Sequence, residues 1–75
     1  MSRLPQISSK ALIRFLKKQG FLEDRQKGSH LTLWNPERKV SITVPVHTGT
    51  DIGRGLAARI IKDAGFSVED FLKLR

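Results

Sequence analysis

The fold is decided by residues 30–46, which read His30-Leu31-Thr32-Leu33-Trp34-Asn35-Pro36-Glu37-Arg38-Lys39-Val40-Ser41-Ile42-Thr43-Val44-Pro45-Val46. Apolar and polar residues alternate on both sides of Asn35-Pro36-Glu37-Arg38, a group of turn-favouring residues with proline in second place. The stretch therefore predicts a β-hairpin with strands at 30–35 and 40–46. Because side chains alternate across a strand, the expected inner face carries Leu31, Leu33, Val40, Ile42 and Val44, and the outer face His30, Thr32, Trp34, Ser41 and Thr43.

The residues before the hairpin predict a helix and an edge strand. Ser8 can cap the helix, and Gly20 stands where a left-handed residue typically ends one. The helix would carry an apolar stripe of Ala11, Leu12, Phe15 and Leu16, and a basic stripe of Lys10, Arg14, Lys17 and Lys18 nearly opposite. Residues 21–26 follow as an edge strand whose charges discourage unwanted pairing.

After the hairpin, a loop at 47–51 leads into a second helix with an apolar stripe of Leu56, Ala57, Ile60, Ile61 and Ala64 and with Gly65 as its C-cap. Ser67 and Asp70 then have the spacing of a capping box, and Phe66 can pack onto Phe71 at the start of a short C-terminal helix. The order predicts an α+β fold of the type α-β-β-β-α, with a three-stranded antiparallel sheet and helices on one face. We expect one domain spanning 1–75.

Composition points to a polyanionic partner. The chain has 14 Lys and Arg against 7 Asp and Glu, a formal charge of +7, which favours nucleic acid first and an acidic protein second. It has no cysteine and two histidines without a ligand-like spacing, so we expect no metal site and no cofactor. Its apolar runs are far shorter than a membrane span and it shows no signal-peptide pattern. These features predict a cytoplasmic protein that does not associate with a membrane.

His30 is the clearest candidate for chemistry. Gly28 supplies a turn, and His30 opens the strand two residues later on the outer face. Imidazole titrates near neutral pH and can act as a general acid or base. From the pattern alone, however, a histidine exposed on a strand is the better interpretation. The second histidine, His47, is predicted to be a solvated loop residue rather than a second proton carrier.

Several residues are candidate contacts to RNA or phosphate. Lys27 and Ser29 flank Gly28, and Trp34 shares the outer face of the strand with His30, where a base could stack. Arg14, Lys17 and Lys18 could follow phosphates, although a basic helix face is more often simply solvated. Gly53-Arg54-Gly55 at a helix start could hold a phosphate on free N–H groups, but it matches no established phosphate-loop motif.

Three motifs in series resemble the HicA toxins of bacterial toxin–antitoxin modules. They are Lys27-Gly28-Ser29-His30 at the start of a strand, Ile42-Thr43-Val44-Pro45-Val46-His47 at the end of the next, and the helix from Gly55-Leu56 to Ala64-Gly65 followed by Ser67-Val68-Glu69-Asp70-Phe71-Leu72. The resemblance implies a fold like that of double-stranded-RNA-binding domains, cleavage of mRNA, and neutralisation by a HicB-type antitoxin. It also implies that the family's catalytic histidine is His30.

Two other functions remain open at this point. A non-catalytic RNA-binding module of the double-stranded-RNA-binding type would bind RNA without cutting it, with an affinity that falls steeply with salt. An interaction protein would bind an acidic protein and have negligible affinity for RNA. Loss of cleavage on replacing His30, with the fold intact, separates the toxin from both.

Overall fold

A three-stranded antiparallel sheet carries the fold. The computed structural model describes residues 4–46 and 51–75. Its elements are, in chain order, β1 (Ile7–Ser8), α1 (Ser9–Lys18), β2 (Leu22–Lys27), β3 (His30–Asn35), β4 (Val40–Pro45), β5 (Asp51–Ile52), α2 (Arg54–Asp63) and α3 (Val68–Leu74). The main sheet has the order β2-β3-β4, and β1 pairs with β5 in a separate two-stranded sheet. The predicted α+β order of helix, three strands and two helices is confirmed.

The hairpin has one buried face and one exposed face, as the alternation of apolar and polar residues predicts. Leu33 in β3 pairs with Ile42 in β4, and both side chains are buried. Thr32 and Thr43 pair on the opposite face, where their hydroxyls lie 3.2 Å apart. The helices therefore cover one face of the sheet and leave the other open to solvent, as expected for an amphipathic antiparallel sheet.

Four residues, Pro36 to Lys39, connect β3 to β4, as the predicted strand bounds require. Lys39 adopts a left-handed conformation with φ of 57°, and its N–H donates to the carbonyl of Asn35 at 2.7 Å. Asn35 is only 2% exposed. Its side-chain amide donates to the carbonyl of Gln19, while its side-chain oxygen accepts from the N–H groups of Glu37 and Arg38. This side chain therefore joins the hairpin turn to the end of α1.

Both long helices end at a glycine, as predicted. In α1 the N–H of Gly20 donates to Lys17 and that of Phe21 donates to Leu16, the paired bonds of a Schellman motif. Gly65 ends α2 in the same way, and each glycine has φ of 97°. At the start of α1 the Ser8 hydroxyl accepts from the N–H of Ala11 at 3.1 Å, so the predicted cap is also confirmed.

Phe15 lies at the centre of the core beneath the sheet. Its ring makes edge contacts with Phe66 and Phe71, at centroid distances of 5.3 and 4.9 Å. Leu4 is also buried, although its segment has no periodicity from which this could be predicted. The predicted apolar stripe of α2 is wrong at Leu56, which is 48% exposed, because this residue lies on the side of the helix that turns toward solvent.

The predicted capping box at the start of α3 forms in both directions. The N–H of Ser67 donates to the Asp70 carboxylate at 2.9 Å, and the N–H of Asp70 donates to the Ser67 hydroxyl at 3.0 Å. The bond from the Ser67 backbone, with a second contribution from its hydroxyl, holds the pKa of Asp70 below its ordinary value of 3.8. Ionised Asp70 therefore stabilises the folded state.

We expect Asp70→Asn to lower the free energy of unfolding at neutral pH. A carboxylate with a lowered folded-state pKa contributes fully above its unfolded pKa, and the contribution is lost as pH falls through the folded pKa. The difference between Asp70→Asn and the unchanged chain should therefore shrink below about pH 3.8. Urea unfolding at neutral and acid pH measures it. Glu69→Gln, which removes a charge from the same turn but no cap bond, is the control; an equal pH-dependent loss there would contradict the assignment.

Candidate active site

A tight turn places His30 at the end of the open sheet face. Lys27 pairs with His30, so only Gly28 and Ser29 connect β2 to β3. Gly28 has φ of 60°, whereas Ser29 has no positive φ, which is the pattern of a type II′ hairpin turn with glycine first. Ser29 is half-buried and its carbonyl accepts from the N–H of Val46 at 2.6 Å. The turn is thus tied to the end of β4, and His30 is exposed beside it.

The conformation of Gly28 predicts opposite effects for two alanine substitutions. A Cβ at Gly28 would meet no atom within 4 Å, so Gly28→Ala should cost roughly 1–3 kcal/mol through backbone strain alone. Gly55 in α2 has equal space and no positive φ, so Gly55→Ala should stabilise the chain by about 0.4–1 kcal/mol. Chemical denaturation measures the change in the free energy of unfolding of each variant, and a stabilising Gly28→Ala would contradict the left-handed conformation of Gly28.

Cross-strand pairing brings two basic side chains next to His30. Lys27 is the direct partner of His30, and Arg25 is the direct partner of Thr32, so all four side chains share the outer face of the sheet. Arg25, Lys27, His30 and Thr32 line one shallow depression on this face. None of these four residues is acidic, so the depression has a positive field.

Arg25 was missed by the sequence analysis, although a signal for it was present. The two-residue turn fixes the pairing of Lys27 with His30, and counting back along β2 then pairs Arg25 with Thr32. Thr43 follows in the same way on β4. The acidic neighbours Glu23 and Asp24 hid this arrangement, because the segment was interpreted as an edge strand whose charges only discourage pairing.

Trp34 and Leu22 form an exposed apolar pair at the other end of this face. They are direct cross-strand partners and are 39% and 60% exposed. Trp34 is four residues from His30 along β3, which corresponds to about 13 Å in an extended strand. The predicted association of Trp34 with the His30 face is thus seen in the structure, but the two side chains lie at opposite ends of the strand.

The basic residues of α1 are not brought to His30. The helix packs its buried side, including Phe15, beneath the inner face of the sheet, so its exposed side is directed away from the outer face. Arg14, Lys17 and Lys18 line a separate depression there. Lys17 also forms an ion pair with Glu23 of β2. These three residues were predicted as candidate phosphate contacts on a helix face that could also be simply solvated, and the fold places them away from His30.

His47 and the segment Gly53-Arg54-Gly55 are the two remaining sequence candidates. His47 lies outside the described residues, so nothing is added to its prediction as a loop residue. The helix at Gly53-Arg54-Gly55 begins at Arg54, with Gly53 as an N-cap that has no side-chain cap. Among residues 4–46 and 51–75, no three His, Cys, Asp or Glu side chains are grouped so that they could hold a metal ion.

One family comparison identifies the chain. No helix among the described residues is long and apolar enough to cross a membrane. The model of a family described as "HicA toxin of bacterial toxin-antitoxin" matches residues 9–66 of the 75-residue chain, which includes the main sheet, α1 and α2. A comparison of the chain with curated proteins found no match. The chain therefore belongs to the HicA toxin family of bacterial toxin–antitoxin systems.

Proposed function

We propose that the chain is an endoribonuclease toxin that cleaves mRNA without a metal ion, with His30 as the proton-transfer residue. One observation supports the proposal: His30 is exposed in a depression that it shares with two basic residues, Lys27 and Arg25. Family membership implies an antitoxin partner, and we propose that it is of the HicB type.

The proposed reaction is attack of a ribose 2′-hydroxyl on the adjacent phosphorus. The 2′-oxygen loses a proton as its bond to phosphorus forms, and the 5′-oxygen gains one as its bond breaks. The products are a 2′,3′-cyclic phosphate and a 5′-hydroxyl. His30 can perform either transfer, since an imidazole can act as a general acid or as a general base. Lys27 and Arg25 would stabilise the additional negative charge on the phosphate oxygens.

The rest of the outer face would hold the RNA strand. Trp34 offers an exposed ring on which a base could stack, a contact worth roughly 1–3 kcal/mol in single-strand binding. The hydroxyls of Thr32 and Thr43, which bond to one another, and that of Ser29 could bond to ribose or phosphate. In this proposal Arg14, Lys17 and Lys18 add to the long-range attraction of RNA by the net charge of +7 and do not contact the cleaved phosphate.

Paired substitutions distinguish site contacts from general charge. Replacing Arg25 and Lys27 together by glutamine should reduce the slope of log affinity against log salt by about 1.4, because each phosphate contact to a single strand contributes about 0.7. Replacing Arg14 and Lys18 removes the same charge from α1 and should change this slope by less than half as much. Fluorescence anisotropy with labelled RNA, in a His30→Gln background that leaves the RNA intact, measures both. Equal changes in slope for the two double variants would contradict the proposed phosphate contacts of Arg25 and Lys27.

The competing RNA-binding module is favoured by the basic face of α1, whose Lys10, Arg14, Lys17 and Lys18 line their own depression. A direct test incubates the purified chain with an mRNA in EDTA and analyses the RNA on denaturing and native gels. The ribonuclease proposal predicts discrete fragments on the denaturing gel. Intact RNA that is only retarded on the native gel would support the binding module instead.

A further inference from the structure

The two edges of the main sheet differ in how they are protected. β2, at one edge, carries Glu23, Asp24 and Arg25 and has an irregular register with β3, both of which discourage pairing with another strand. β4, at the other edge, pairs with β3 in an unbroken one-to-one register and has no charged residue. Within the described residues, no strand pairs with the far side of β4. This edge is therefore open to strand addition.

The direction of the backbone groups follows from one hydrogen bond. Val46 lies opposite Ser29 in the β3–β4 register, and its N–H donates to the Ser29 carbonyl. In an antiparallel ladder the hydrogen-bonded pairs recur every second residue, so Val44, Ile42 and Val40 also direct their N–H and carbonyl groups toward β3. The backbone groups of the residues between them point away from β3.

Among residues 4–46 and 51–75, those outward-pointing groups lack a hydrogen-bond partner along only part of the edge. Pro45 has no N–H, and its carbonyl accepts from the Ser9 hydroxyl at 2.7 Å, which closes that end. Ser41 and Thr43 each present an N–H and a carbonyl to the open side. Together they supply two donors and two acceptors, which is the complement that a short extended segment needs for pairing.

A groove runs along this open edge. It is lined by Ser41, Ile42 and Thr43 of β4 and by Leu56, Arg59, Ile60 and Asp63 of α2. Leu56 is the residue of the predicted apolar stripe that proves to be exposed, at 48%. The groove thus combines free backbone groups on one wall with an exposed leucine on the other, a combination typical of sites where a peptide strand adds to a sheet.

We propose that an extended segment of the antitoxin adds to β4 at Ser41 and Thr43 and places an apolar side chain against Leu56. The identity of the occupant rests on the proposed function, in which an antitoxin neutralises the toxin. Charge supports this occupant over a second copy of the chain, because two copies would each carry +7 and repel one another. An acidic antitoxin would instead be attracted.

Strand addition here would also bring the antitoxin close to the proposed active site. A strand added to β4 lies about 4.8 Å from it and about 10 Å from β3. Pro45, at the end of β4, is the direct cross-strand partner of His30. A folded body attached to the added strand could therefore extend over His30 and block access of RNA, without any residue of the toxin changing position.

Hydrogen exchange tests the backbone part of the proposal. The probe is a purified HicB-type antitoxin that suppresses the toxicity of this chain in cells, bound to the His30→Gln chain. We expect the amides of Ser41 and Thr43 to exchange at least about tenfold more slowly in the complex than in the free chain, because strand pairing buries them in hydrogen bonds. Unchanged exchange at both amides would overturn the proposal.

Two exposed leucines supply a matched test of the groove. Leu56→Glu should weaken antitoxin binding at least about tenfold, as expected for a central apolar contact. Leu74→Glu changes a leucine of similar exposure, 42%, at the end of α3 and should leave affinity nearly unchanged. Circular dichroism confirms folding of both variants. Equal affinities would overturn the proposal, as would a dimer of the free chain with the same amides protected. These experiments measure antitoxin binding and not RNA cleavage. A failure of the docking proposal can therefore be distinguished from a failure of the ribonuclease proposal.

Discussion

His30→Gln should slow RNA cleavage by roughly 10²- to 10⁴-fold, the usual contribution of a general acid or base. Glutamine keeps a polar side chain of comparable size but cannot exchange a proton near neutral pH. Because His30 is exposed on the sheet face, its replacement should change the free energy of unfolding by no more than about 0.5 kcal/mol. Single-turnover cleavage in EDTA, with circular dichroism on the same samples, separates loss of chemistry from loss of fold.

The second histidine provides the matched control for this experiment. His47→Gln removes the same ring at a residue that the sequence predicts to be a solvated loop position, and we expect the cleavage rate to stay close to that of the unchanged chain. If His47→Gln were the inactive variant and His30→Gln cleaved normally, the assignment of the proton-transfer residue would be wrong. If both variants were inactive but folded, a two-histidine mechanism would replace the present one.

Phe15→Ala should lower the free energy of unfolding by about 3–5 kcal/mol, the range for removing a buried aromatic side chain. Phe15 is 1% exposed and contacts the rings of Phe66 and Phe71, so its loss also removes two aromatic pairs. A chain of 75 residues has a total stability of about 4–11 kcal/mol. The substitution should therefore remove a large part of the free energy of unfolding, which is measured as a lower urea midpoint.

Phe66→Ala is the control for Phe15→Ala. Phe66 is only partly buried, and its ring contacts the ring of Phe15. The guanidinium of Arg38 lies 4.3 Å from the centre of the Phe66 ring. We expect a loss of stability about half as large. An effect of Phe66→Ala that equals or exceeds that of Phe15→Ala would show that the core is centred elsewhere.

The local sequence pattern was sufficient to predict most of the fold. The alternation from Leu31 to Val44 predicts both faces of the hairpin because a strand with one buried face can take only one orientation. The ends of α1 and α2 were equally predictable, since Gly20 and Gly65 occupy left-handed positions that few other residues tolerate. In each case the deciding interaction lies within a few residues in sequence.

Contacts between distant segments could not be predicted in this way. The sequence predicts Asn35 only as a turn residue. Its side chain is buried because it donates a hydrogen bond to the carbonyl of Gln19 at the end of α1, 16 residues away. The pairing of Ile7 with Ile52 joins two segments too short to show any periodicity. Leu56 fits a helical stripe as well as Ala57 does, and only the placement of α2 against β4 decides which of them is buried.

The candidate site was predictable in part for the same reasons. The exposure of His30 and its proximity to Lys27 follow from the turn and the strand alternation. Arg25 could have been found by counting back from the same turn along β2, because the irregular register begins only beyond Arg25. The separation of Arg14, Lys17 and Lys18 from His30 depends on which face of the sheet α1 covers, and charge composition carries no information about that placement.

The most direct test of the central claim is the chemistry of the RNA ends. The measurement uses an RNA cleaved by the chain in EDTA, together with the same RNA carrying a single 2′-deoxynucleotide immediately 5′ of the mapped cleavage site. Attack by the 2′-hydroxyl, assisted by His30, predicts a 2′,3′-cyclic phosphate and a 5′-hydroxyl on the first RNA and no cleavage at that site in the second. A 5′-phosphate product, or unchanged cleavage of the deoxy-substituted RNA, would contradict the mechanism.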